Sequence, residues 1–287
     1  MEAASRAAGE DFLSPDSRMW THPAFALAGI PHSKPISDEA IWHRQNGRLH
    51  LLVEPGRIIE RGVPRTVGVP YGAMARLILL YIQTHARSDG TVPLGRSLSS
   101  WITSLGRSVN GGPRGSITSV REQMLRLARA RISIHWTDAS GTSVAVADQA
   151  LANGMTLWSA TDPTLRDWCE ELCLTPEFVS ALKRRMPLAD HAIAYLRGTS
   201  LGLDLYLFLA HRLPRVTPAE EGRPLAWPAL VAQFGADYSR TDQFARRICA
   251  LLPDVLAVYP DARVVAAKAG LCMWHSPPVV PRRLQKG

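Results

Sequence analysis

The stretch from Leu225 to Tyr259, LAWPALVAQFGADYSRTDQFARRICALLPDVLAVY, constrains this chain more than any other. Apolar residues at helical spacing run from Trp227 to Phe234 and resume at Phe244, Ile248, Leu251 and Leu252. Between them lie Gly235 and Asp237-Tyr238-Ser239-Arg240-Thr241, residues that favour turns and helix starts. The pattern predicts a short helix, a tight polar turn and a second helix. That second helix leaves Gln243, Arg246, Arg247 and the small Ala250 on its open face, preceded by Ser239, Arg240 and Thr241. Two short helices meeting at a polar turn are how such a motif offers side chains to a DNA groove. Arginine pairs bidentately with guanine, glutamine with adenine, and serine or threonine serve bases or phosphates. The start of the second helix also favours a phosphate. Any amphipathic helix has a polar face. Here cap, arginine pair and a following wing come in order, and that favours the DNA reading. Pro253 is expected to end or kink the helix after about three turns.

The wing follows directly. Alternating RVVAA and LCMW flank Lys268-Ala269-Gly270, so Lys268 sits near its tip as a further candidate contact. Upstream, Leu182 to Leu196 and Leu201 to Leu213 read as a two-part helical region, joined to Trp227 by a loop from Pro214 to Pro224.

An earlier segment spells the same order. Met74, Leu77, Leu80 and Tyr81 mark a helix from Ala73 to His85, and a short helix is expected around Leu98 to Leu105. Ser116 is the expected N-cap of a third helix running to about Arg131, with Ile117, Val120, Met124, Leu127 and Ala128 as its buried stripe. Ile132 to Trp136 alternates as a strand, a turn is expected at Asp138–Gly141, and SVAVA returns. Arg114, Thr118 and Arg121 recur at i, i+4 and i+7 and would share one face suited to phosphate contact. Arg126, Arg129 and Arg131 spread around the helix, and ordinary solvated arginines are an equal reading of the group. Before this lobe, Asn46-Gly47 between apolar runs predicts a hairpin over Ile41–Val53, with turns at 55–56 and 62–70. Residues 1–20 read as a mobile arm.

The expected fold is therefore α+β, with tandem winged-helix domains, each of three helices and a β-hairpin, after an N-terminal arm and β-hairpin. The expected divisions are 1–65 for arm and hairpin, 66–162 for the first winged-helix domain and 163–287 for the second with a basic tail. Charge follows this division. Residues 1–65 hold 8 basic and 8 acidic residues, 66–162 hold 9 and 5, and 163–287 hold 16 and 12, so the net +8 falls as 0, +4 and +4. Such an excess favours an anionic partner, although surface solubility accounts for part of it. Lys183-Arg184-Arg185 and the tail Arg282-Arg283-Leu284-Gln285-Lys286 add weaker basic clusters.

Catalytic signals are poor. The chain lacks a GxxxxGK[ST] loop, a GxGxxG after a strand, an HxH pair and an HExxH, so no cofactor and no metal are expected. Tyr238 reads as an exposed turn residue and Tyr259 as core, and His211 beside Arg212 as a helix-end capping contact. Of the four cysteines, Cys169 and Cys173 are four apart without further ligands nearby. Cys249 and Cys272 lie in apolar runs as small hydrophobes. These features and the absence of an apolar run of 18 residues point to a cytoplasmic protein without membrane attachment.

Six segments carry a family resemblance: GVPYGAMARLILLYI (68–82), LGRSLSSWITSLG (94–106), GGPRGSITSVREQMLRL (111–127), SLGLDLYLFLAHRL (200–213), LAWPALVAQFGADYSRTDQFARR (225–247) and VYPDARV…GLCMWHSPPVV (258–280). In this order the chain resembles the plasmid RepA-type replication initiators of Gram-negative bacteria. The resemblance implies a non-enzymatic protein binding double-stranded origin DNA at repeated sites, or iterons. It implies a first lobe for dimerisation and backbone contact and a second that reads the iteron. Opening of an AT-rich segment, recruitment of the host initiator and replicative helicase, and repression of its own gene by homodimers belong to the same picture, with the monomer as a candidate origin-binding form. The alternative is a tandem winged-helix transcriptional repressor. A nicking or priming enzyme is a third reading, disfavoured by the missing histidine metal motif.

Overall fold

The computed structural model describes residues 18–138, 143–152, 170–235 and 237–281. The chain is mixed α+β and divides into two compact units, one formed by Ile30–Arg185 and the other by the segment up to Gly29 together with Met186 onwards. That cut differs from the divisions at 65 and 162 expected from sequence, because strand pairing ignores them.

In the Ile30–Arg185 unit the centre is a four-stranded antiparallel sheet. It is built from β2 (Trp42–Asn46), β3 (Leu49–Glu54), β7 (Arg131–Thr137) and β8 (Ser143–Ala150), in the order β2-β3-β7-β8. The expected hairpin is therefore β2–β3, and β3 joins it to the later hairpin through pairs such as Leu51↔Ile134 and Val53↔Ile132. Leu49, Leu51 and Val53 are buried, as period-two alternation requires of a strand with one core face. The turn lies one residue later than Asn46-Gly47. Asn46 pairs with Leu49, and Gly47 takes the first loop position with φ +56°, a place that suits glycine. The turns expected at 62–70 are largely strand. β4 (Gly56–Glu60) and β5 (Val63–Gly68) form a hairpin that reverses at Arg61-Gly62, both at positive φ. The expected turn at 138–141 lies largely outside the described residues.

Three helices precede the second hairpin in this unit. In α2 (Gly72–His85) every residue from Met74 to Gln83 is buried, so the stripe expected from spacing is a helix enclosed on all sides. Arg76 lies inside it and donates to the Pro31 carbonyl at 2.9 Å and the Ile30 carbonyl at 2.6 Å. α3 (Leu98–Ser104) starts at Ser97, whose hydroxyl accepts from the Ser100 amide at 3.1 Å. α4 (Ser116–Arg129) buries Val120, Met124, Leu127 and Ala128, while Ile117 is half-buried. Ser116 does not cap it. The Ser116 amide donates to Asn110 Oδ1 at 2.7 Å and the Ser116 hydroxyl accepts from the Asn110 amide at 3.0 Å, so the side chain of Asn110 serves the helix start.

Between α2 and α3, β6 (Thr91–Pro93) pairs with β9 (Glu171–Cys173) rather than with the β7–β8 hairpin. Thr175 continues this edge: its hydroxyl donates to the Ala150 carbonyl at 2.9 Å and caps α5 (Pro176–Ala181). These pairings carry the unit past residue 162.

The other unit begins where a mobile arm was expected. β1 (Arg18–Thr21) pairs antiparallel with β10 (Met186–Ala189), so residues 18–20 belong to a sheet, and α1 (Pro23–Leu27) follows. The single helix expected from Leu182 to Leu196 is accordingly broken. A 3₁₀ turn at Leu182–Arg184 ends the first unit, β10 intervenes, and α6 spans Asp190–Leu196. α7 (Ser200–Arg212) is buried from Leu201 to Ala210 and packs against α1. Its last turn is closed by Arg215, which donates to the His211 carbonyl at 2.5 Å, so the expected capping role passes from His211 to Arg215. Burial first, then Arg215 and Arg212, hold the His211 imidazole down to about 4.

After α7 come β11 (Pro224–Ala226), α8 (Trp227–Phe234), α9 (Thr241–Val258), β12 (Val264–Ala267) and β13 (Gly270–Met273), with sheet order β11-β13-β12. α9 runs 18 residues through Pro253. The expected early end fails for a physical reason: Pro253 and Cys249 are both exposed, so the carbonyl that loses its amide partner faces solvent. The buried stripe meanwhile continues through Val255 and Val258. Cys249 is thus exposed rather than core, and Cys272 is half-buried.

Candidate nucleic-acid interface

The surface at the start of α9 is built by close packing beneath it. Phe244, fully buried, anchors the helix and meets the Tyr238 ring edge-on at 5.4 Å between centroids. Tyr238 is therefore half-buried rather than an exposed turn residue. Gly235 closes α8 where no side chain fits: a Cβ there would stand 2.8 Å from the Val231 Cα and 3.1 Å from the Phe244 ring. Phe208 supports Phe234 from α7 at 5.4 Å.

On this base the expected residues come to one end of one helix. Ser239, Arg240, Thr241, Gln243, Arg246, Arg247 and Ala250 are all exposed, while Phe244, Ile248, Leu251 and Leu252 turn inward. Arg240 occupies the N-cap position and no side chain caps the helix start. Lys268 is exposed in the two-residue turn between β12 and β13. Trp227 ties that turn to α8. Its indole donates to the Lys268 carbonyl at 3.1 Å and its amide to the Ala269 carbonyl at 3.2 Å.

One residue of this surface went unweighed in the sequence. Asp242, in the first turn of α9, accepts from Arg240 Nε at 2.9 Å and Arg240 Nη2 at 3.1 Å, and from Arg246 Nη2 at 2.9 Å. Hydrogen bonds from Arg240, with the charges of Arg240 and Arg246, hold its carboxyl below the usual carboxylate range. A carboxylate at a helix start also answers the macrodipole, which offsets the attraction of that end for phosphate. The spacing Arg-x-Asp-x-x-x-Arg was the legible signal, since i and i+4 are neighbours on a helix. Arg247 has no ion pair or hydrogen bond among the described residues.

The first unit distributes its candidates differently. Arg114 lies in the turn before α4, two residues ahead of its first residue, so it does not share a helical face with Thr118 and Arg121. Thr118 is exposed and donates to the Gly112 carbonyl at 2.8 Å, and Arg121 is half-buried. Arg126 is buried at 4% exposure. It donates to Asp38 at 3.0 Å, Glu122 at 3.1 Å and the Val69 carbonyl at 3.3 Å, which removes it from any contact surface. Arg185 likewise donates to the Gln83 carbonyl at 2.6 Å. The basic tail and Cys169 lie outside the described residues.

Tyr259 is core, with 2% exposure, and donates to the Pro277 carbonyl at 2.5 Å. Burial and then Asp261 push its hydroxyl up to about 12. The histidines are less scattered than they look in sequence: the β2–β3 register places His43 Nε2 3.1 Å from His50 Nδ1. Among the described residues no group of three or more His, Cys, Asp or Glu is placed to hold a metal ion, and no helix is long and apolar enough to cross a membrane.

Comparison with known proteins places the chain. A family model described as "Plasmid encoded RepA protein" matches residues 69–228. That is more than half of the chain, and the chain belongs to this family. No curated protein sequence matches it. Among solved structures, a selenomethionine crystal structure of domains 2 and 3 of RctB is similar with a TM-score of 0.49 and 12% identity, covering 85% of this chain and 89% of that one. A second crystal structure of RctB domains 2–3 is similar with a TM-score of 0.40 and 12% identity, covering 81% and 82%.

Proposed function

We propose that this RepA-family chain is a non-enzymatic initiator of plasmid replication that binds repeated double-stranded sites, iterons, at its plasmid's origin. The observation that carries the proposal is the unit that ends in β13. Its order of helix, strand, helix, helix and two-stranded wing, with sheet order β11-β13-β12, is that of a winged helix. The helix before the wing presents Ser239, Arg240, Thr241, Gln243, Arg246 and Arg247 to solvent, residue types that serve base edges and phosphates in a major groove. Lys268 on the wing would add a backbone contact.

The Ile30–Arg185 unit has the same order of helix, strand, helix, helix and hairpin, which supports a tandem winged-helix arrangement. In this reading its share is backbone contact through Arg121 and Thr118, and self-association. Opening of the origin, recruitment of the host initiator and replicative helicase, and repression of its own gene complete the role.

Footprinting of the purified full chain on its plasmid's noncoding DNA tests the proposal. Protection repeating at about one or two helical turns is the expected result. A single protected site ahead of the gene, with no array, would instead favour a transcriptional repressor. A covalent adduct on supercoiled origin DNA would favour a nicking enzyme.

A further inference from the structure

The Arg240–Asp242–Arg246 cluster supports an inference that rests on the DNA-reading role of α9 and deepens it. A guanidinium can donate paired hydrogen bonds from its Nε–Nη2 edge or from its Nη1–Nη2 end. Asp242 takes the first edge of both arginines. Arg240 donates Nε to Oδ1 at 2.9 Å and Nη2 to Oδ2 at 3.1 Å. Arg246 donates Nη2 to Oδ2 at 2.9 Å and Nε to the Asp242 carbonyl at 3.4 Å. Each arginine keeps its Nη1–Nη2 end open, the fork that matches O6 and N7 of guanine.

The pairs are far too exposed to exist for stability: the arginine side chains are 66% and 73% accessible, and ion pairs in such positions contribute little. Their effect is on geometry. Two long side chains that would otherwise sample many rotamers are held by one carboxylate, which lowers the entropy lost when they dock. The same carboxylate opposes phosphate at this end of the helix, so the patch loses affinity for any duplex while it keeps its base readers.

We infer that Asp242 is a positioning residue that fixes Arg240 and Arg246 as two guanine readers, so that the recognised repeat carries two guanines at fixed positions. Arg247, which no carboxylate holds, contacts phosphate instead.

The test is selection of the full chain, as wild type and as Asp242→Ala, on a pool of duplexes with a randomised core, read by sequencing. Wild type is expected to enrich two fixed guanines. Asp242→Ala is expected to lose about 5- to 100-fold of the preference at both, to keep the other positions, and to hold or gain affinity for random duplexes. Retention of both guanines by the variant, or a wild-type site without them, overturns the inference and leaves the initiator reading standing. A wild type without any sequence preference overturns both. A second measurement needs no variant: 7-deazaguanine at each selected guanine removes the N7 acceptor and should weaken the wild-type complex several-fold. No effect at either position also overturns the inference.

Discussion

α4 and α9 each carry arginines on a helix that feeds a β-hairpin, and the two use them in opposite ways. On α4, Arg126 points into its own unit and binds Asp38, Glu122 and the Val69 carbonyl, with the Tyr71 ring 5.2 Å from its guanidinium. On α9, Arg240, Arg246 and Arg247 stay in solvent, and the carboxylate that pairs with the first two, Asp242, sits on the same helix turn. The difference is that Arg126, besides its local Glu122, has an acidic partner from far along the chain. Asp38 is 88 residues away from Arg126 and closes a tertiary contact. Asp242 is a local neighbour and closes none. An arginine count therefore says little about a nucleic-acid surface until each partner is known.

The strands repeat the contrast. In the unit ending in β13, the short strand before α8 pairs with the hairpin that follows α9, Leu225 opposite Leu271. In the other unit, β6 pairs with β9 and the hairpin is claimed by β3. In one unit the last hairpin pairs only with the strand before its own helices, and in the other it is woven into a larger sheet.

Four substitutions would break or sharpen this contrast. The largest effect is expected of Arg126→Ala, which takes a buried guanidinium away from Asp38, Glu122 and the Val69 carbonyl. It should destabilise its unit by about 2 to 3 kcal/mol, seen as a lower denaturant midpoint, because the buried Val69 carbonyl loses a donor and a cavity replaces the buried side chain. An unchanged midpoint would place Arg126 with the solvated arginines after all. Next, Arg246→Ala should cost about 1–3 kcal/mol on the cognate repeat and far less on random duplex, whereas Arg247→Ala should weaken both alike. Equal losses from Arg246→Ala on the two DNAs would reduce it to a phosphate contact. Smallest is Arg121→Ala, which should lower affinity uniformly and reduce the salt slope by about 1. A slope that does not move would leave the α4 unit without this contact.

Much of the candidate site was legible in the residues. Phe244, Ile248, Leu251 and Leu252 at helical spacing set the inner face of α9, and that alone fixed which residues look outward. Pro253 misled because its local penalty is real, yet Val255 and Val258 continue the stripe and Pro253 lies on the exposed side of the helix. Arg114 misled because three residues at helical spacing were read as one helix, although the chain is still in a turn at the first of them. Ser116 looked like a cap by residue type, and only the fold reveals that Asn110 takes that part.

By itself the sequence determined the helices with strong periodicity, the polar face of α9, the wing after it and the family. These follow from local spacing, which repeats every few residues and needs no distant partner. The tertiary structure alone decided that β1 pairs with β10, β3 with β7 and β6 with β9, and hence where the two units divide. It also decided that Arg126 is buried. Strand pairing and buried ion pairs draw their energy from groups far apart in the chain, so no local window contains both halves of the bargain.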